Sequence, residues 1–323
     1  MKQLAIRRKM FAKRKIVQVF GYGPNKTVSL ERQESLCNVS YERICEYSKS
    51  FGIEIEDPRS DSLRGHYFQN RTAYLLKNVI LEPKQGLVYS ATGELIAEST
   101  IWPPSHVYSS FPWNPGKNLK RLHIKSGILI TSNAFWHWLV EDLASTIFSL
   151  QVDSNSPVLV AKNPPKYVLD FLETVDREII FLDEPVQVDS LILVGKAQDS
   201  GWPHPKDLDV LSKYDPFVRV IQRGSLEKKI YISRRASRRS PKNEEAIEKI
   251  FLSHNFEIMR LEDLNLLEEI RIVSGVTFLA GVHGAGLVNL IWMPRESKTL
   301  DIVNENYWTE SIHRAAFLSG VKY

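Results

Sequence analysis

Strands and helices alternate through the second half of the chain, and this alternation is the strongest constraint on its fold. Four apolar strands are each followed by a segment with helical spacing. The predicted strands are residues 229–233, 257–261, 277–280 and 299–303, and the predicted helices are residues 244–254, 266–274, 285–293 and 308–319. Alternation at this length is typical of βαβ units around a parallel sheet. Right-handed crossovers bring the loops after the strands to one edge, where ligands bind.

The first half is less regular but ends in the same pattern. Short strands are predicted at 74–81, 86–90 and 94–99, after helical spacing at 30–51. The alternating part has strands 123–130, 158–161, 179–182 and 190–194 with helices 134–150 and 165–175. A linker with Gly201, Pro203 and Pro205 precedes a helix predicted at 206–221. The sequence therefore predicts an α/β protein with a poorly defined segment at 1–60, one domain at 61–200 and a second at 201–323.

Composition excludes several classes of protein. The chain has 323 residues, of which 43% are hydrophobic and 25% charged, as in ordinary globular proteins of about two domains. A net charge of +4 is too modest to indicate nucleic acid as a partner. The two cysteines, Cys37 and Cys45, favour a reducing compartment. No apolar run reaches transmembrane length and no secretory signal is evident, so we expect a cytoplasmic protein.

The N-terminal segment has a local excess of positive charge. Seven lysines and arginines lie between Lys2 and Lys15, and no acidic residue precedes Glu31. Apolar residues are interleaved with them, a composition suited to the inner face of an anionic cytoplasmic membrane. A solvated tail has the same composition and is the more common occurrence.

A glycine-rich turn follows the strand at 277–280. Gly281, Gly284 and Gly286 allow a tight turn and close approach of a ligand to the backbone. The predicted helix after this turn would present free amides and the positive end of its dipole, which together form an anion site, above all for phosphate. His283 would add a donor at its mouth. The alternative is an ordinary glycine-rich connection of an α/β fold.

A second loop at the same predicted edge has four arginines. The strand at 229–233 runs into Arg234-Arg235-Ala236-Ser237-Arg238-Arg239. Guanidinium groups bind phosphate oxygens in a forked geometry, so we expect Arg234 or Arg235 to contact a diphosphate. The alternative is a solvated basic loop, which most charge runs are.

The helix predicted at 134–150 begins with a possible acid–base pair. Ser132 or Asn133 would cap it, and His137 and Glu141 share a face because they are four residues apart. A histidine beside a carboxylate can serve as a general base. On spacing alone, a core histidine among Phe135 and Trp138 is the more common arrangement.

These segments together resemble glycosyltransferase family 61. The resemblance rests on their order and spacing and runs from about Tyr67 to the C-terminus. The matching segments are Asn133-Ala-Phe-Trp-His137-Trp138 with Glu141-Asp142, Tyr231-Ile-Ser-Arg-Arg235, Arg260-Leu-Glu-Asp-Leu264, and Gly281-Val-His283-Gly284-Ala285-Gly286-Leu287 with Asn289.

The resemblance implies a GT-B architecture, with two Rossmann-like domains and a cleft between them. It implies an inverting transfer from a nucleotide sugar, usually linked to UDP. Three sets of residues are implied: catalytic His137, Glu141 and Asp142; donor- and phosphate-binding Arg234, Arg235, His283, Gly284, Ala285, Gly286 and Asn289; and acceptor-side Asn133 and Trp138. Without a signal anchor, the chain looks like the bacterial branch, which builds capsular, exopolysaccharide or lipopolysaccharide chains on glycan or lipid-linked glycan acceptors.

No cofactor or metal is expected. Asp207 and Asp209 have the spacing of a manganese-binding Asp-x-Asp motif, but they fall in a predicted helix rather than after an apolar strand. An oxidoreductase is disfavoured because the turn lacks the third glycine of a dinucleotide fingerprint. A protein that binds sugar nucleotides or glycans without catalysis remains the alternative function.

Overall fold

The computed structural model describes residues 72–100, 122–131, 134–195, 203–222, 227–235, 240–304, 307 and 309–323 in full. Of residues 1–71 it describes the backbone of four short strands. The basic segment from Lys2 to Lys15, the predicted caps Ser132 and Asn133, and Arg238 and Arg239 lie outside the described residues. So does the centre of the predicted linker, and the domain boundary there stays a prediction.

Strands are numbered in chain order. They are β1 Thr27–Val28, β2 Ser40–Glu46, β3 Phe51–Gly52, β4 Tyr67–Phe68, β5 Thr72–Glu82, β6 Leu87–Tyr89, β7 Leu95–Ile96, β8 His123–Ile130, β9 Val158–Ala161, β10 Ile179–Leu182, β11 Val186–Val194, β12 Lys228–Ile232, β13 Glu257–Met259, β14 Val276–Val282 and β15 Lys298–Ile302.

Helices are numbered in the same way. The α-helices are α1 Phe135–His137, α2 Leu143–Val152, α3 Lys166–Leu172, α4 Pro205–Lys213, α5 Asp215–Val218, α6 Glu244–Ser253, α7 Leu266–Val273 and α8 Ser311–Ser319. A π-helical turn, Trp138–Asp142, joins α1 to α2. Short 3-10 helices form at Ala97–Ser99, Leu261–Asp263 and Ala285–Trp292. Within the described part of the chain, none of the helices is long and apolar enough to cross a bilayer.

Two parallel arrays confirm the α/β prediction. In the described part of the first half, a nine-stranded sheet contains the parallel run β10-β9-β8-β11, and β5 continues it antiparallel to β11. The second half forms the four-stranded sheet β13-β12-β14-β15, in which all pairs are parallel. Neighbouring parallel strands need long crossover connections, and the helices between the strands supply them.

Several predictions of local structure were wrong. The strand predicted at 94–99 ends at Ile96, and the helix predicted at 206–221 is interrupted at Tyr214, whose backbone is extended. Residues 40–46 form strand β2 rather than a helix, because β5 is long enough to pair with them on the edge that β6 leaves open. The helix after the glycine turn is a 3-10 helix. There the amide of Asn289 donates to the carbonyl of Gly286 at 3.2 Å, and such side-chain bonds compete with regular helical bonding.

One apolar core joins the two halves. It contains Trp138 and Phe171 from the first half and Leu279 and Leu287 from the second. Phe217 of α5 meets the ring of Trp292 at a centroid distance of 5.4 Å. These contacts bring α1 against the Ala285–Trp292 helix, so the loops of the two sheets meet.

Polar contacts fix the same junction. Nζ of Lys166 donates to the carbonyl of Leu264 at 2.7 Å, and the amide of Leu266 donates to Oδ2 of Asp170 at 3.0 Å. Both pairs join α3 to the segment that precedes α7.

Candidate functional site

The order of the parallel strands places the site. Chain order reverses between β8 and β11 in the first sheet and between β12 and β14 in the second. Ligands of open α/β sheets bind beyond the carboxyl ends of the strands at such reversals. β8 leads to α1 with His137, β12 leads to Arg234, and β14 leads to His283 and Gly284.

Two cavities lie where these loops meet, and both have walls from both halves of the chain. The Arg234 cavity has a volume of about 440 Å³ and the histidine cavity about 430 Å³. The Arg234 cavity is lined by Phe135, Tyr167, Ile232, Ser233, Arg234, Leu261, Glu262, Val282, Gly284, Ala285, Gly286 and Leu287. The histidine cavity is lined by Ala134, Trp136, His137, His283, Gly284, Ala285, Tyr307, Thr309, Glu310, Ser311, Ile312 and Arg314. Gly284 and Ala285 line both, so the two spaces meet at the glycine turn.

Arg234 points into the cleft that the two cavities form together. Its Nη1 donates to the carbonyl of His283 at 2.8 Å, and its backbone amide donates to Oε1 of Glu244 at 2.7 Å. A Cβ on Gly284 would lie only 2.6 Å from Nη1 of Arg234. The missing side chain at Gly284 therefore makes room for the guanidinium beside the turn.

Arg235 is held elsewhere. Its guanidinium forms two hydrogen bonds with the carboxylate of Glu248 on α6, and its side chain is 56% exposed. Although burial opposes it, hydrogen bonds from Arg235 and Ser233 lower the pKa of Glu248. Arg235 does not line either cavity, so the two neighbouring arginines have different surroundings.

The glycine turn is supported from below by Asn289. This residue is 0% exposed, and its Nδ2 donates to the carbonyl of Gly286 and to Oε2 of Glu269 at 3.0 Å. Burial raises the pKa of Glu269 to about 8. The side chain of Asn289 thus contacts the turn from beneath, and its predicted role in donor binding stays a prediction.

A histidine–carboxylate pair forms the wall of the histidine cavity next to the turn. Nδ1 of His283 lies 2.7 Å from Oδ2 of Asp301 on β15, and both side chains are buried. Nε2, on the other side of the ring, lies 3.3 Å from Oγ1 of Thr309. The ring of Tyr307 meets the imidazole edge to face at 5.7 Å.

The opposite wall contains a second pair. Nδ1 of His137 lies 2.9 Å from Oε2 of Glu141, which is fully buried, while His137 lines the cavity. This is the same-face contact that the spacing predicts. The π-helical turn carries Glu141, and such turns occur frequently at functional sites.

Trp138 and Asp142 face away from this cavity. Trp138 is 0% exposed and packs against Phe135 and Tyr167, whose rings line the Arg234 cavity. Asp142 lines a small separate cavity between α2 and β11 and lies close enough to Tyr167 to help raise the pKa of that phenol, after the larger effect of burial. The side chain of Trp138 is covered by other rings and supports the cleft wall, and its acceptor-side role stays a prediction.

Sequence reasoning missed Asp301. It lies on a predicted strand directly beside the strand that precedes His283, with Asp301 opposite Gly281 in the pairing. Strand adjacency was the only available signal. Tyr167, Tyr307 and Thr309 were also missed, because they reach the cleft from loops and from α3.

A metal site is not evident in the part of the chain that the structure describes, where no three histidine, cysteine or acidic side chains cluster. Asp207 is buried on α4, and Asp209 pairs with Lys213 at 2.8 Å. Both lie on a helix, as the sequence indicated.

Comparison with known families decides the classification. The family model described as Glycosyltransferase 61 matches residues 135–300, more than half of the chain. The protein belongs to glycosyltransferase family 61. The comparison with curated proteins found no match. The family match covers His137, Arg234 and His283 and supports glycosyltransferase activity, with a sugar donor and an acceptor as substrates.

Proposed function

We propose that the protein is an inverting glycosyltransferase that moves a sugar from a UDP-linked donor to a glycan acceptor, through a GT-B arrangement of its two halves. The observation that carries this proposal is the cleft, where His137 with Glu141 faces Arg234 and the glycine turn across Gly284. Inverting transfer needs both parts: a base for the acceptor hydroxyl and positive charge for the departing diphosphate.

The two cavities divide the donor between them. The Arg234 cavity takes the nucleoside, because Tyr167, Phe135, Leu261 and Leu287 give it an apolar and aromatic wall. The diphosphate lies at the turn shared by the cavities, near Arg234 and the amides of Ala285 and Gly286. The transferred sugar and the acceptor hydroxyl occupy the histidine cavity.

His137 is the base in this scheme and Glu141 its positioning residue. Glu141 accepts the Nδ1 hydrogen, so Nε2 of His137 receives the proton of the acceptor hydroxyl. Asp142 has no direct part in this step, since it lines a different cavity.

The acceptor that we propose is a glycan or lipid-linked glycan of bacterial capsule, exopolysaccharide or lipopolysaccharide synthesis, at the cytoplasmic face of the membrane. The family resemblance supports this part, together with the basic segment between Lys2 and Lys15.

A UDP-release assay tests the proposal without knowledge of the acceptor, because water can replace it. The protein is mixed with a panel of UDP-sugars, and free UDP is measured against time. We expect release from one or a few donors, abolished by boiling. UDP binding without release from any donor, with or without glycan acceptors, would indicate a binding protein instead.

A further inference from the structure

Asp301 has no role in the proposed function so far, and its surroundings suggest one. Its side chain is fully buried in β15, and buried carboxylates in proteins are paired. Two groups donate to its Oδ2: Nδ1 of His283 at 2.7 Å and the phenol of Tyr323 at 3.2 Å. The carboxylate that accepts from the imidazole therefore lies on a strand and not in a loop.

This contact determines which ring nitrogen faces the cavity. Because Nδ1 donates to Asp301, Nε2 is the atom on the cavity side, next to Thr309. The edge of Tyr307 limits rotation of the ring from another side. His283 is therefore held in one orientation, with Nδ1 toward Asp301 and Nε2 toward the cavity.

The same histidine adjoins the place proposed for the diphosphate. Its carbonyl accepts from Nη1 of Arg234, and the next residue is Gly284, which lines both cavities. Other charged or titratable groups around this wall and cavity are His137, Glu141, Glu310, Arg314, Tyr307 and Tyr323. Among the residues that line the histidine cavity, His283 lies within the glycine turn, directly before Gly284.

We propose that Asp301 is a positioning residue that holds His283 as the proton donor to the leaving diphosphate. This inference rests on the proposed function. The acceptor oxygen attacks the anomeric carbon and gives its proton to Nε2 of His137. The bond from that carbon to the β-phosphate oxygen breaks, and the oxygen takes both bonding electrons and the Nε2 proton of the His283 imidazolium. After product release, a proton passes through solvent from His137 back to His283.

Kinetics on the full-length chain test this role. Asp301→Asn keeps the shape but offers an amide in place of the carboxylate. We expect kcat for UDP release to fall roughly 10- to 100-fold, less than the roughly 10²–10⁴-fold contribution of a proton-transfer group itself, because Asp301 acts only through His283. KM for the donor and the dissociation constant of UDP should change less than about 3-fold, because Asp301 acts through His283 on the departing group. Asp183→Asn, at an exposed pair with Lys162, is the matched control and should leave kcat unchanged.

A spectroscopic titration separates positioning from simple stability. In ¹⁵N-histidine-labelled wild-type protein, addition of UDP should shift the ring-nitrogen signals of His283, assigned by their loss in His283→Gln. Asp301→Asn should shift both ring-nitrogen signals of His283 before UDP is added, because the imidazolium loses its carboxylate partner. A melting curve shows whether each variant is folded, and if Asp301→Asn does not fold, the wild-type titration decides alone.

The outcomes are distinct. Binding of UDP without a shift of the His283 signals overturns this inference, and so does a folded Asp301→Asn protein with wild-type kcat. Either result leaves the proposed function standing. Failure of the wild-type protein to bind UDP overturns both.

Discussion

The two walls of the cleft are built in different ways. The wall from the first half presents a side-chain pair, His137 and Glu141, on a helix with a π-helical turn. The wall from the second half combines the backbone of the glycine turn with Arg234 beside it, the His283–Asp301 pair, and Asn289 beneath the turn. Among the described residues, Arg234 and the turn amides suit an anion, and the proposed base, His137, lies on a helix of the first wall.

This difference indicates a division of work. Backbone amides and a guanidinium bind a diphosphate whatever sugar it carries, so the second wall suits the invariant part of a nucleotide sugar. A helix-borne base serves the reacting hydroxyl. Substitution of His137 should therefore lower turnover, and substitution of Arg234 should weaken UDP binding.

The largest effect is expected at His137. His137→Ala should lower turnover by about 10²–10⁴-fold, the contribution of a general base, while UDP affinity stays nearly unchanged. Glu141→Gln should cost less, since Glu141 only orients the imidazole. Rates and melting curves with one donor check both. A folded His137→Ala protein with full turnover would make His137 a packed core histidine.

The next effect separates the two arginines. Arg234→Ala should weaken UDP binding by about 1.5–3 kcal/mol, the worth of a hydrogen bond to a charged group. Arg235→Ala should change it by less than about 0.5 kcal/mol, as for surface substitutions, because Arg235 is paired with Glu248. Calorimetry with UDP measures both. Equal losses in the two variants would mean that Arg235 leaves Glu248 to bind the diphosphate.

A smaller effect is expected beneath the turn. Burial raises the pKa of Glu269 from 4.5 to about 8, so between these values the folded protein holds a proton that the unfolded chain has lost. Wild-type stability should therefore fall as pH rises through this range, and Glu269→Gln should remove that loss. The difference in melting temperature between the variant and the wild type should rise by a few degrees from pH 5 to pH 7. Each kcal/mol of stability corresponds to about 2–4 °C in melting temperature. A constant difference across this range would show that Glu269 is not protonated in the folded state.

The smallest effect is expected from metal removal. Arg234 and the helix after the turn supply positive charge to the diphosphate, so UDP release should persist in EDTA. Loss of activity that manganese restores would contradict this and direct attention to Asp207 and Asp209.

Local patterns in the sequence predicted the alternation of strands and helices and one contact in the first wall. The parallel strands of the second half and the His137–Glu141 contact follow from spacing within a few residues. The His283–Asp301 contact joins residues 18 apart on adjacent strands, so it required the strand order. The different fates of Arg234 and Arg235 required the positions of Glu244 and Glu248 on α6. The burial of Trp138 and Asn289 depends on tertiary packing against other elements, which no local pattern contains.

The π-helical turn Trp138–Asp142 also affects which changes of chain length the protein can accept. A π-helical turn holds one more residue than an α-helical turn. Loss of one residue there, such as Val140, would allow α1 and α2 to form one regular helix. With about 3.6 residues per turn, His137 would then rotate by roughly 100° relative to α2, away from the wall opposite His283. A single-residue deletion would thus leave a well-formed helix and remove the base from the cleft, so homologous chains that keep the chemistry should keep the length of this turn as well as its histidine.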